Sequence, residues 1–357
     1  MATADPTITA VIPTFRRPRL LARAVESVLA QTYPNLRVLV CDNHSGDETR
    51  QVMEVFIRRD ARVMYHCHTR NLGAHANFLF GMDQVRTELF TVQGDDDFLL
   101  PDFYEVAVRT LREHRQARFF CGQVVLYDEA RGTHALRPSA HWPEGFHAAG
   151  TAARLMMEHH FVWTSCVFDS RIRASMPPLE NASTGDILFM VDAAARFPFA
   201  VSLVPCAVFA ETGENASSLM PLEERVGAYE LMRRRALALP NVGDADRQLI
   251  AAAAQRAALT SVNHLFRSSL MAQDWAKFDA ATRYLDSQGA LRWGKRLRVA
   301  LARRREPPSL ELRAMLALLR RLGAYQKARR SGWQTLSPEE LTKLYRRPAA
   351  PQAATGS

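Results

Sequence analysis

Ile8-Thr9-Ala10-Val11-Ile12-Pro13 is a short, nearly unbroken apolar run closed by a proline. Such a run suits a strand buried on both faces. Pro18 is well placed to open a helix. Leu21, Ala24, Val25, Val28 and Leu29 then share one helical face through Ala30. Tyr33-Pro34-Asn35 makes a turn. Leu36 to Cys41 reads as a second buried strand, ending in the polar loop Asp42-Asn43-His44-Ser45-Gly46-Asp47. The alternation continues with a helix over Thr49 to Arg59, a strand over Val63 to His66, a helix over Gly73 to Val85 and a strand over Leu89 to Val92.

Strand and helix alternating in this way predict an α/β fold: a mostly parallel sheet with helices on both faces. Ligands of such sheets bind beyond the carboxyl ends of the strands. The Asp42 loop and Asp95 to Asp97 both follow strands directly, so they are expected to share one rim. Residues 117–210 are more mixed, with strands over Arg118 to Tyr127 and Ala200 to Phe209 and helices over Ala148 to His159 and Asp186 to Arg196. From Asp244 to about Tyr345 the pattern is helical, rich in alanine and arginine, with breaks expected at Gly289, Gly294 and Pro307-Pro308.

The 357 residues are 47% hydrophobic and 23% charged, enough apolar material for a large core plus a smaller second unit. Met1 to Pro6 has neither a basic start nor an apolar stretch, and no uncharged run approaches the length of a spanning helix. A cytoplasmic protein is expected, with peripheral attachment to the inner face of the plasma membrane open. The five cysteines are scattered without CxxC spacing and read as reduced thiols. The net charge of +9 is uneven: residues 244–357 carry +12 and residues 1–243 carry −3. The basic part is read as a solvated helical face, a surface for anionic membrane or, with no motif in support, a nucleic-acid site. Leu291 to Arg305 is the segment of interest for membrane.

The strongest chemical signal is Gly94-Asp95-Asp96-Asp97-Phe98-Leu99-Leu100-Pro101. Adjacent carboxylates repel one another and are costly to desolvate, and a hard divalent cation such as Mg²⁺ or Mn²⁺, shared with substrate phosphates, compensates. The plain alternative is an acidic turn or cap, with Asp97 or Asp102 accepting backbone N–H bonds. Asp42 reads as a ligand for a base or ribose, or as a turn-forming residue. In Asn71-Leu72-Gly73 to Asn77, Gly73 allows close backbone approach and Asn77 and Arg70 could reach phosphate or sugar; helix capping by Asn71 is the alternative. Asp186, after Gly185, reads as a helix cap or as a general base of raised pKa. Trp163 and Thr164 are candidates for the acceptor side, with core packing as the plain role. P-loop, GxGxxG and GxSxG patterns are absent.

Taken in order, these motifs resemble family 2 glycosyltransferases from about Ile8 to Leu219. Val11 to Phe15 with Ser27 to Pro34 looks like the opening signature, Val40 to Ser45 the nucleotide-binding strand end, Asn71 to Asn77 the third landmark, and Gly94 to Asp97 with Pro101 the metal motif. The resemblance implies a GT-A type fold over residues 1–243, with a nucleotide-binding half near 1–115 and an acceptor half near 116–243. Residues 244–346 would then be a basic helical extension and 347–357 a loose tail. It implies inverting transfer from a nucleoside-diphosphate sugar to a saccharide, lipid-linked or other hydroxyl acceptor, as in bacterial surface polysaccharide synthesis. Pro13, Thr14, Phe15, Arg17, Asp42, Asn71, Gly73, Asn77 and Asp95 would serve the nucleotide sugar. Asp96 and Asp97 would serve Mn²⁺ or Mg²⁺, and Asp186 would be the base. Two departures stand out. Gly94 occupies the place where the family's first aspartate is commonest, and Gly185 replaces one acid of its Glu-Asp pair. Glu211 sits about where the family often has a histidine before an Asn-x-Ser segment, here Asn215 to Ser217. A non-catalytic binding relative and a sugar nucleotidyltransferase are the rival readings; the latter would want a glycine-rich phosphate loop, which Thr14 to Arg19 lacks.

Overall fold

A computed structural model of the chain describes residues 5–136, 141–177, 185–212, 221–302, 310, 312–318 and 334–345. The first half alternates as expected: β1 (Ile8–Thr14), α1 (Pro18–Leu29), β2 (Leu36–Asp42), α2 (Thr49–Arg59), β3 (Val63–Cys67), α3 (Ala74–Asp83) and β4 (Leu89–Val92). Then come β5 (Phe98–Leu99), α4 (Phe103–Glu113), β6 (Phe119–Asp128), β7 (Thr133–Leu136), β8 (Gly145–His147), α5 (Ala153–Glu158), β9 (Cys166–Asp169), α6 (Ile172–Ser175), α7 (Gly185–Arg196) and β10 (Phe199–Glu211). The helices α8 (Leu222–Ala236), α9 (Asp244–Ala272), α10 (Trp275–Ser287) and α11 (Trp293–Ala302) follow. A short β11 (Gln334–Thr335) and a helix Pro338–Tyr345 close the described chain.

All seven residues of β1 are buried, because helices cover both of its faces. Ile8, Ala10 and Ile12 point into a core built with α1, α2 and α4. Val11 points the other way, with Leu39 and Cys41, against Phe80 and Val85. Each fully buried side chain of this size contributes roughly 1.5–3 kcal/mol. Strands β3, β2, β1 and β4 lie side by side and parallel. Beyond β4 the sheet is mixed: β9 is antiparallel to β4 and β6, and the long β10 runs parallel to β6 with an irregularity around Pro205. The α/β class and the largely parallel centre agree with the sequence reading. Strands β5, β7, β8, β9 and β11 lay outside it.

The C-terminal part divides by packing. Ile250, Ala251, Ala253 and Ala254 of α9 enter the core that contains α5 and α7. Val262, Leu265, Phe266 and Leu270 of the same helix form a second core with α10, Leu312 and Leu316. A single 29-residue helix therefore spans both units, and the expected division at residues 243/244 falls at its start. Gly294 does not break the chain as expected but lies within α11, whereas Gly289 stands between α10 and α11 with φ of 63°. Pro307-Pro308 lies outside the described residues. Residues 334–345 return to the main sheet: β11 pairs with β7, and Leu336, Leu341 and Leu344 pack with Leu100, Val125 and Val208. That segment is thus separate from the helical extension in which the sequence placed it. Among the described residues, no helix is long and apolar enough to cross a membrane.

Candidate active site

Three parallel strands end on one rim. Register places Thr14 of β1 opposite Asp42 of β2. Thr14 Oγ1 donates to Asp95 Oδ2 at 2.7 Å, just beyond β4. The two acidic loops are therefore neighbours, joined through a threonine hydroxyl.

Arg17 precedes the Pro18 that opens α1, and its guanidinium turns back over the rim. Its Nη1 donates to Asp95 Oδ1 at 3.0 Å and to Asp96 Oδ2 at 3.3 Å. Burial raises the Asp95 pKa to about 6; Arg17 opposes this and the charge of Asp96 adds to it. Asp97 is also raised, first by burial and then by Asp96. Its oxygens are held from within: Thr164 Oγ1 donates to Oδ2 at 2.6 Å and the Ala210 amide to Oδ1 at 3.0 Å. Asp96 is the partly exposed member of the three, and Asp95 and Asp97 are buried.

Gly94 leaves room for this arrangement. A methyl group there would lie 2.8 Å from Asp96 Oδ1 and 3.2 Å from Asp97 Oδ2. The Asp96 carboxylate thus occupies space that a side chain at position 94 would claim.

The Asp42 loop is tied down as firmly. Asp42 Oδ1 accepts from the Ser45 amide at 2.9 Å and its hydroxyl at 2.6 Å, and Oδ2 accepts from Tyr65 Oη at 2.6 Å. Arg16, at a left-handed φ of 56°, donates its amide to Ser45 Oγ and its Nε to the Ser45 carbonyl. Non-glycine residues in that conformation carry strain of about 1–3 kcal/mol, offset here by two hydrogen bonds that lock the β1 and β2 loops together. Asn43 and Asn71 are joined side chain to side chain, and Asn71 Oδ1 also accepts the Gly73 amide at 2.8 Å. Gly73 has φ of 86°, which suits glycine, at the cap of α3. Asn77 is buried; it donates to the Cys41 carbonyl at 2.8 Å, and its Oδ1 meets His68 Nε2 at 3.0 Å. Its amide therefore fastens α3 to β2.

The expected residues thus fall into two layers. Phe15, Arg17, Asn71, Gly73 and Asp96 reach the surface of the rim, while Pro13, Thr14, Asp42, Asn77, Asp95 and Asp97 lie beneath it. Asp97, expected as a metal ligand, has both oxygens occupied by protein donors and acts as a brace between β4, β10 and the turn Trp163–Ser165. Thr164, expected on the acceptor side, supplies that brace. Trp163, 8% exposed, is a core ring between Phe78 and Phe189, 5.9 and 5.3 Å away. Asp186 sits in the first turn of α7, one turn before Phe189. Burial raises its pKa, against the backbone N–H groups of Ile187 and its own residue. A methyl group on Gly185 would meet His75 Nδ1 of α3 at 3.6 Å, so α7 begins beside the first turn of α3. Glu211 follows Ala210, the residue bonded to Asp97; Asn215 to Ser217 lie outside the described residues.

Sequence reading missed Arg23, Ser45, Tyr65 and the Ala210 amide. Arg23 Nη2 donates to the Asp96 carbonyl at 2.6 Å, and its guanidinium lies 4.7 Å over the Phe98 ring. Ser45, three residues after Asp42, carried a local turn signal. The other three meet their partners only through the fold.

For a divalent cation the chemistry fits in part. Asp96 and Asp95 are crowded hard oxygen donors, and burial with the neighbouring Asp96 charge raises the pKa of Asp95, as expected of a site awaiting positive charge. Among the described residues, no group of three or more His, Cys, Asp or Glu side chains converges on one metal position. An ion at Asp96 would have to complete its shell with phosphate oxygens and water, as Mg²⁺-type sites commonly do.

Rim, acidic loop and mixed sheet make up one α/β fold with a polar site at its strand ends. Residues 9–173 match the model of a family described as "Glycosyl transferase family 2". Over 96 residues it is 33% identical to the GalNAc(5)-diNAcBac-PP-undecaprenol beta-1,3-glucosyltransferase of Campylobacter jejuni, covering 27% of this chain and 31% of that protein. Over 126 residues it is 28% identical to glycosyltransferase GlyG of Streptococcus pneumoniae, covering 35% and 41%. The chain thus spans well under two thirds of these relatives. Among solved structures, Staphylococcus aureus TarS 1-349 in complex with UDP-GlcNAc superposes with a TM-score of 0.59 at 16% identity, covering 77% of this chain and 79% of TarS. The mannosyltransferase PcManGT from Pyrobaculum calidifontis, in complex with GDP-Man and Mn²⁺, gives 0.54 at 16% identity, covering 92% and 83%. At such identities the likeness is one of fold.

Proposed function

We propose that this chain is a glycosyltransferase that moves a sugar from a nucleoside diphosphate to an acceptor hydroxyl with inversion. The observation that carries the reading is the Thr14–Asp95 hydrogen bond, which joins the β1–β2 loops and the acidic loop into one polar rim at the strand ends. The β1 and β2 loops, braced by Asp42, Ser45 and Arg16, form the seat for the nucleoside. Arg17, anchored by Asp95, meets the diphosphate end and contributes positive charge to leaving oxygens. Asp96, the partly exposed member, would hold Mn²⁺ or Mg²⁺ with Asp95 behind it; when bound, the ion supplies charge neutralisation at the leaving diphosphate. Asp186, raised in pKa by burial, accepts the proton of the acceptor hydroxyl as that oxygen attacks the anomeric carbon from the face opposite the diphosphate. A single displacement inverts the configuration. The printed name of the Campylobacter jejuni relative, with its undecaprenol-linked glycan, supports a lipid-linked glycoconjugate acceptor, and UDP-GlcNAc and GDP-Man in the complexes of the structural neighbours support a nucleoside-diphosphate sugar donor.

A second reading has Asp186 as a cap alone, in a binding protein without turnover; its bonds to the α7 backbone favour that reading. Donor hydrolysis and transfer assays with UDP- and GDP-sugars separate the two. Turnover lost in Asp186→Asn, with nucleotide binding retained, supports catalysis. Nucleotide binding with no turnover in the unmodified chain supports the binding protein.

A further inference from the structure

Helix α11 divides its apolar residues between two opposite faces. Val299 and Ala302 turn inward, with Leu291 just before the helix, to the core made with α9 and α10. Trp293, Arg296, Leu297 and Ala300, spaced as one outward helical stripe, are exposed. Trp293 is 80% exposed and Leu297 47%. A large indole left in water this way, one turn from an exposed leucine, has no packing role in the described chain.

The charge around it has one sign. From Gln288 to Ala302 the sequence has Arg292, Lys295, Arg296 and Arg298 and no acidic residue. Lys295 is held below its ordinary pKa by burial and then by Arg267, Arg292 and Arg298; Arg298 is lowered by burial and Arg267. These basic groups therefore repel one another, and burial adds to the shift. Residues 312–318 repeat the design: Leu312 and Leu316 pack on the same core, whereas Leu318 is 57% exposed, and the neighbouring Leu310 is 81% exposed.

We infer that the outward face of α11 docks on an anionic phospholipid surface. An indole and a leucine between arginines match the layered chemistry of a bilayer interface: anionic headgroups outside, hydrocarbon beneath. Trp293 and Leu297 enter the interface, and Arg292 and Arg296 meet phosphate. Because no described helix spans a membrane, the contact is peripheral. This inference stands apart from the proposed chemistry, since lipid binding requires no turnover.

The test is vesicle co-sedimentation of the full chain, with phosphatidylcholine vesicles and with vesicles containing phosphatidylglycerol. The unmodified chain is expected to pellet with the anionic vesicles, less so in high salt, and to stay in solution with the zwitterionic ones. The double variant W293E/L297E is expected to lose at least tenfold in vesicle affinity with an unchanged melting temperature. The control V55E/I57E, on exposed positions of α2, is expected to bind as the unmodified chain does. No pelleting of the unmodified chain with anionic vesicles, or W293E/L297E binding within twofold of it, overturns the inference. So does a dimer in solution that W293E/L297E converts to a monomer without any vesicle binding, because a second copy would then be the occupant.

Discussion

Thr164 and Asp97 are 67 residues apart in sequence and share a 2.6 Å hydrogen bond beneath the rim. The threonine lies on the turn leading into β9, and the aspartate closes the loop after β4. Their bond, with that from the Ala210 amide, fixes how the acidic loop leaves the sheet.

Thr164→Val removes the hydroxyl and leaves a buried carboxylate one donor short, a loss of about 1–3 kcal/mol. A lower melting temperature and weaker nucleotide-sugar turnover are expected. Thr164→Ser should restore most of both, which differential scanning calorimetry and a transfer assay would show.

Gly94→Ala tests the steric argument. The added methyl meets Asp96 Oδ1 at 2.8 Å, and because that atom is the end of a side chain, the carboxylate turns away. The expected outcome is a several-fold weaker Mn²⁺-dependent nucleotide affinity, measured by calorimetric titration, with a melting temperature near that of the unmodified chain.

How far this site could be read from sequence depended on range. β1, β2 and β4 announce themselves as buried apolar runs and the edge strand β3 as a short one between two helices, so β1 to β4 and the two acidic loops were legible. The brace on Asp97 was not, because Thr164 and Ala210 reach it by tertiary folding. Nothing in a run of three aspartates says which one faces solvent; burial of its neighbours singles out Asp96. Likewise, alanine-rich α9 shows no break, yet serves two cores, and the return of residues 334–345 rests on a two-residue strand too short to signal itself.

That return gives a third prediction. Tyr345 stacks on Phe98, with ring centroids 6.2 Å apart, and the Arg23 guanidinium lies over the same Phe98. Tyr345→Ala should cost about 0.5–1.5 kcal/mol of stability. Urea denaturation would register it as a lower midpoint without a change in slope.

The pH dependence follows from Asp95. Its pKa is raised to about 6 in the folded chain, from an ordinary carboxylate value near 4. The folded state therefore holds this proton more tightly than the unfolded state. Its contribution to stability is present below about pH 4 and is lost as pH rises toward 6. A cation bound beside it at Asp96 opposes that proton by charge repulsion. Thermal stabilisation by Mn²⁺ with UDP or GDP should accordingly be large at pH 7.5 and fall as pH drops through 6, as melting curves across that range would show.

The deciding measurement is calorimetric titration of UDP and GDP, with Mn²⁺ and with EDTA, into the unmodified chain and Asp96→Asn. Binding by one of the nucleotides that needs Mn²⁺ and drops at least tenfold in Asp96→Asn upholds the rim as a cation–diphosphate site. Nucleotide binding equally strong in EDTA and in Asp96→Asn, or no binding of either nucleotide by the unmodified chain, would refute it.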